Sequence, residues 1–268
     1  MNVLAVKNLK VWDMKTDHVI IHNSSFELKQ GSCLAIVGES GSGKSVTSRS
    51  IMRLNKAWLR QSGDIVFKGE HLNQLSEHEM RNKRGKQLCM IMQNGMSAFD
   101  PSCVIGIHLK ETLYEHFGWS TNEIVEKMKK AMASVMLNNP IEVMNKYPHQ
   151  LSGGMLQRVM IALALVLEPD IIIADEPTTG LDTISQFEVI EQFMQLRERM
   201  DCSMIFISHD LGVVKKMADD VLVMKDGEIV EQGSIRAVFS EPVHEYTKYL
   251  LSTRLALSNH FKLIMGEG

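Results

Sequence analysis

The run Cys33–Val37 is apolar without alternation. Gly38-Glu-Ser-Gly-Ser-Gly-Lys44-Ser45 follows it directly, ahead of residues with a helical pattern to about Arg53. Such a run suits a strand covered on both faces. Gly38, Gly41 and Gly43 leave the main chain free to curl tightly, so that N–H groups along the loop, at Ser40, Ser42 and on to Val46, point inward at phosphate oxygens. The helix that begins near Lys44 adds its positive end. Lys44 can reach the β- and γ-phosphates, and Ser45 can hold Mg²⁺. Strand, glycine loop and helix in this order predict an α/β protein that binds a nucleotide.

The rest of the chain repeats the strand signal at intervals. Strands are expected at 3–12 and 19–28, with a turn at 13–17, and again at 64–67, 88–92, 170–174 and 204–207. A hairpin is expected from 220–224 and 228–231 around Lys225-Asp226-Gly227. Ser76 with Glu79 and Ser120 with Glu123 have the capping-box spacing, and the second predicts a helix running to Asn138-Asn139-Pro140. From about 97 to 167 strand signals vanish, which predicts a separate helical lobe. Its apolar helix, 155–167, must stop before Pro169. A long helix is expected at about 183–199.

Asp175-Glu176 follows the apolar strand 170–174, at the carboxyl end where open α/β sheets bind ligands. Consecutive residues at a strand end need not point the same way. Asp175 can serve the Mg²⁺ side while Glu176 faces the water that attacks the γ-phosphate, a division that phosphoryl transfer requires. Gln93 and His209 each come just past a strand, where an amide can ligate Mg²⁺ or position water and an imidazole can bond the γ-phosphate. In Leu151-Ser-Gly-Gly-Met-Leu-Gln-Arg158, Ser152 can cap a helix whose first turn, bare at Gly153 and Gly154, offers N–H groups to an anion. One triphosphate cannot easily touch both loops with a helical lobe between them, so a dimer in which this surface closes the partner's nucleotide is the economical reading.

Composition narrows the alternatives. With 29 Lys+Arg against 32 Asp+Glu the net charge is −3, and neither a basic face nor a coiled-coil insertion suggests a soluble ATPase acting on DNA or ribosomes. No nucleic-acid partner is expected. The four cysteines, at 33, 89, 103 and 202, have no metal-site or disulfide spacing, so a reducing compartment and no iron–sulfur cluster are expected. The 19 methionines are read as packing rather than as soft-metal ligands. No apolar stretch is long enough to predict a membrane span.

The phosphate loop, Gln93, Leu151-Ser-Gly-Gly154, Asp175-Glu176-Pro177, Thr179-Gly180-Leu181-Asp182 and His209 occur in the order seen in the ATP-binding cassette (ABC) superfamily, which the chain resembles over about 1–256. The loop sequence, the 92–101 segment and Glu241-Pro-Val-His-Glu-Tyr-Thr-Lys-Tyr-Leu-Leu251 resemble ATPase subunits of dipeptide, oligopeptide and nickel importers, including the metallophore branch. The resemblance implies a P-loop NTPase of ABC type with a mixed sheet core, N-terminal antiparallel strands and an inserted α-helical subdomain. The ATP-binding core would comprise 1–96 and 168–256, the helical subdomain 97–167 and a tail 257–268.

It further implies that Lys44 and Ser45 bind phosphate and Mg²⁺, that Asp175 and Gln93 help hold the metal, and that Glu176 is the general base. His209 is the switch histidine, Ser152, Gly153 and Gly154 contact nucleotide across the dimer, and Asp182 lies in the loop joining the two halves. Trp12 is the candidate adenine platform, a core or hairpin tryptophan being the other reading. The implied cofactors are ATP and Mg²⁺. The implied partners are a second, non-identical ABC ATPase or another copy of this chain, two transmembrane permeases and, indirectly, an extracytoplasmic solute-binding protein. The implied location is the cytoplasmic face of the cell membrane. Asn94-Gly95 departs from the acidic residue and proline usual after the glutamine.

Overall fold

The computed structural model describes residues 1–93, 95–199 and 202–253. Along the chain lie β1 (Asn2–Asp13), β2 (Val19–Lys29), β3 (Cys33–Val37), α1 (Lys44–Met52), β4 (Leu59–Phe67), β5 (Glu70–His71), α2 (Glu77–Lys83) and β6 (Leu88–Ile91). There follow α3 (Ile105–Phe117), α4 (Thr121–Ser134), α5 (Pro140–Met144), α6 (Gly153–Leu167), β7 (Ile171–Asp175) and α7 (Thr183–Arg199). The last elements are β8 (Ser203–Ile207), α8 (Leu211–Met217), β9 (Asp220–Lys225), β10 (Glu228–Ser234) and α9 (Ile235–Ser240). The described residues fall into two compact units, 1–75 with 203 onward, and 76–202.

The first unit carries two sheets. One is antiparallel, in the order β2-β1-β4-β5. In the other β9 lies between β10 and β3, antiparallel to the first and parallel to the second, and β3 is also parallel to β8. Every residue of β3 and β8 is buried, which is why both are written in apolar residues without alternation. Because β3 and β8 run parallel, with Ile36 opposite Ile207, the loops that follow them leave the sheet at the same edge. The predicted hairpin forms with Asp226 and Gly227 both at positive φ, 47° and 80°. This pair is the mirror-image turn whose twist matches the flanking strands.

The second unit pairs β6 with β7 in parallel, Leu88 opposite Ile171 and Ile91 opposite Ala174, so its two following loops also share an edge. Between these strands the chain is helical. Ser120 and Glu123 close the expected capping box, but α4 ends at Ser134 and not at Asn138. Leu137 is the cause. Its side chain is buried, its N–H bonds back to the Met132 carbonyl at 2.9 Å, and Met136 turns to φ 57° to allow it. Pro140 instead opens α5, a position where its missing N–H costs nothing. Glu168, at φ 49°, caps α6 immediately before Pro169, as expected. β4 starts at Leu59, five residues ahead of the expected strand, because its early residues pair with the end of β1.

Ile36 is fully buried in β3 between two neighbouring strands and sits two residues ahead of the phosphate loop. Replacing it with alanine is expected to lower unfolding stability by about 3 kcal/mol, read from urea denaturation midpoints.

Candidate nucleotide-binding site

The loop after β3 is held open by its own backbone. Gly38 and Gly43 have φ 153° and 103°, and a Cβ on the first would collide with the Met224 carbonyl, on the second with the Ile21 side chain. Lys44 is only 5% exposed, and its ammonium donates to the carbonyls of Gly38 at 3.0 Å and Glu39 at 2.8 Å. The Ser42 N–H also bonds to Glu39 O, at 3.2 Å. α1 begins without a side-chain cap. The Ser42 hydroxyl is buried with no protein partner. An uncapped helix start beside an orphaned hydroxyl and a buried ammonium is a cradle suited to an oxyanion such as a phosphate chain. Ser40 and Gly41 are exposed, while Ser45 and Val46 are half-buried on the first turn of α1.

His209 is exposed in the loop after β8, at the same sheet edge as the phosphate loop. Asp210 beside it caps α8 through the Gly212 and Val213 N–H groups. Trp12 is half-buried near the end of β1, opposite Val19 and Arg60, with the Lys10 ammonium 5.9 Å from its ring centroid. Its neighbour Val11 pairs with Ile21, the residue packed against Gly43.

In the second unit Asp175 is the last residue of β7 and 2% exposed. Glu176 then takes φ 47°, a left-handed conformation that costs a residue with a Cβ about 1 kcal/mol and that clusters at functional sites. One oxygen of Glu176 accepts from Gln93 Nε2 and from Thr179 Oγ1, each at 3.1 Å. Gln93 is held in turn by Gln157, whose side-chain amide donates to the carbonyls of Met92 at 3.0 Å and Gln93 at 3.2 Å.

Thr179 and Gln157 stand in the motifs quoted above, without a role of their own there. A buried glutamine on the apolar helix α6 is the signal that would have pointed to the second. Asn94 lies outside the described residues. At Gly95 a Cβ would press on Leu156.

Ser152 caps α6 by accepting from the Met155 N–H at 3.2 Å, and a Cβ on Gly153 or Gly154 would crowd Leu181 or Ser185. Asp182 accepts from Ser185 N–H at 3.0 Å and Oγ at 2.7 Å, and these bonds hold its carboxyl below the ordinary range. An open cavity of about 460 Å³ lies among Gln93, Gly153, Gln157, Thr179 and Leu181. The second unit therefore gathers Gln93, Asp175, Glu176, the Ser152–Gly154 turn and Asp182, and the first gathers the phosphate loop and His209. Among the described residues no group of three or more His, Cys, Asp or Glu could hold a metal ion by itself.

This arrangement defines a P-loop ATPase of the ABC type, with a mixed sheet core and a helical subdomain. The sequence profile described as "ABC transporter" matches residues 21–179, and the chain belongs to that family. It is 48% identical to the metal-staphylopine import system ATP-binding protein CntD of Staphylococcus aureus, over 99% of this chain and 98% of that one. It is 43% identical to the dipeptide transport ATP-binding protein DppD of Bacillus subtilis, over 94% and 76%. Among solved structures, a dimeric post-hydrolysis state of the ATP-binding cassette MJ0796 with ADP and phosphate superposes with a TM-score of 0.77 at 26% identity. That match covers 87% of this chain and 99% of the other.

Lys44→Ala removes a charged donor from the cradle. ATP affinity measured by titration calorimetry is expected to fall about thirtyfold or more.

Proposed function

We propose that this chain is the ATP-hydrolysing subunit of a membrane ABC importer, a translocase whose cargo is a small solute: a nickel or other metal–metallophore complex, or a di- or oligopeptide. The metallophore cargo is the better supported. The relative named for metal-staphylopine import is matched at 48% over nearly its whole length, against 43% over 76% of the dipeptide relative. The observation that carries the hydrolytic reading is the Glu176 carboxylate, placed at the end of β7 by a left-handed turn and held by Gln93 and Thr179.

A carboxylate so oriented can take the proton of a water as that water attacks phosphorus. Lys44 and the N–H groups from Ser40 to Val46 bind the phosphates, with His209 assigned to the γ-phosphate and Trp12 to the adenine. Mg²⁺, when bound, offsets the negative charge that builds up on the β- and γ-phosphate oxygens. Its assigned donors are Ser45 in the first unit and Asp175 and Gln93 in the second. A hydroxyl, an amide and one carboxylate suit this ion, which keeps several ligands from substrate phosphate and water.

Ser152, Gly153 and Gly154, with Asp182 nearby in the sequence of turns, are assigned to the nucleotide of a partner ATPase, either a related subunit or a second copy. Two permeases and an extracytoplasmic binding protein complete the proposed complex at the cytoplasmic face of the membrane. Among the described residues no helix is long and apolar enough to cross it.

In Glu176→Gln, ATP binding is expected to persist while steady-state hydrolysis falls about a hundredfold or more. Unchanged turnover would remove Glu176 from the role of base. The cargo is tested by deleting the chain from its host and following uptake of ⁶³Ni²⁺ presented with a metallophore beside uptake of a labelled dipeptide. Loss of the first alone supports the metallophore reading, and loss of the second alone replaces it with the peptide one.

A further inference from the structure

The residues after α9 return to the phosphate loop. Glu231 on β10 fixes the path, its two carboxylate oxygens accepting from the N–H groups of Val243 at 2.9 Å and His244 at 3.0 Å. Burial pushes this carboxyl up, but the hydrogen bonds from the Val243 and His244 N–H groups help to outweigh it and leave the group below the ordinary range. His244 Nδ1 accepts from the Tyr246 N–H at 3.1 Å, at the start of a helical stretch that runs from 245 to 253.

The turn carries the Tyr246 side chain into the interior, where it is 7% exposed with the Lys225 ammonium 5.3 Å from its ring centroid. There the phenol oxygen accepts from the backbone N–H of Glu39 at 3.0 Å. Glu39 is the second residue of the phosphate loop, and its carbonyl already accepts from Lys44 and from Ser42. Both main-chain polar atoms of this residue are therefore held, one by the loop itself and one by a segment more than 200 residues further along the chain.

We propose that Tyr246 is a positioning residue for the phosphate loop. By holding the Glu39 N–H, it fixes the entry to the loop so that the following amides and the Lys44 ammonium are preorganised for a triphosphate. The Glu231 clamp makes that preorganisation depend on the docked tail. A partly buried N–H that loses its acceptor lets the backbone populate other conformations. Affinity then falls with the population of the competent one. The inference rests on the ATP-binding reading above.

The test uses the full chain carrying Tyr246→Phe, which keeps the ring and its packing and removes the acceptor. Four quantities are read: kcat and KM for ATP, the Kd of a fluorescent ATP analogue, and the hydrogen-exchange rate of the Glu39 amide. KM and Kd are expected to rise about five- to tenfold with kcat within about twofold, and Glu39 to exchange about tenfold faster. The Ile36 amide, in the strand, keeps its wild-type rate. Glu231→Gln, which loosens the clamp, is expected to raise KM in the same direction by a smaller factor.

A Tyr246→Phe protein with wild-type KM, Kd and Glu39 exchange overturns the proposal, and so does one in which only the melting temperature falls. Wild-type protein that fails to bind the analogue counts against the ATPase reading. The Glu39 exchange rate in the variant still decides whether the tail holds the loop.

Discussion

A buried ammonium must be solvated by the protein, because moving a cation out of water without partners costs several kcal/mol. Lys44 meets this demand inside its own loop, through the carbonyls of Gly38 and Glu39. Two carbonyls can converge on one ammonium only if the chain curls sharply, and Gly38 and Gly43 permit the curl where a Cβ would strike Met224 or Ile21. The curl in turn needs a rigid point of departure, which β3 provides between two parallel neighbours. Much of the first unit can be understood as the support that keeps this one charge buried and aimed.

The second unit solves a related problem for negative charge. Asp175 closes β7 as a buried residue, and the chain leaves the strand at the next carboxylate, Glu176. Glu176 takes a left-handed turn, and the bonds from Gln93 and Thr179 hold its carboxylate in place. Gln157 extends the support from the helical part of the chain to the backbone of Gln93. A helix that carries a sequence motif thus also sets the orientation of a residue outside it.

Where periodicity and caps were strong, the sequence could be read directly. β3, β7 and β8 are written as short apolar runs because both faces are covered, and the Ser120–Glu123 box marks a helix start because two orphan N–H groups need acceptors. The misreadings have separate causes. α4 stops at Ser134 because Leu137 folds back into the lobe, a preference set by burial and invisible to local propensity. α3 went unannounced because Val104 offers no side-chain cap at its start. Gln157 and Tyr246 were named only as parts of motifs, since a hydrogen bond across 64 or 207 positions leaves no periodic trace.

By itself the sequence determined the chemistry available to this protein: a glycine loop that can bind phosphate, paired carboxylates at a strand end, a second serine-capped glycine turn, and the strands and helices that carry them. These follow from local rules, in which neighbouring residues set backbone freedom, caps and alternation. Tertiary structure decided which groups are held and at what angle. It set the Glu176 carboxylate against Gln93, seated Gln93 on Gln157, and brought Tyr246 onto the Glu39 N–H. Each of those choices depends on hydrogen bonds between segments distant in the chain, whose acceptors only the folded chain can provide.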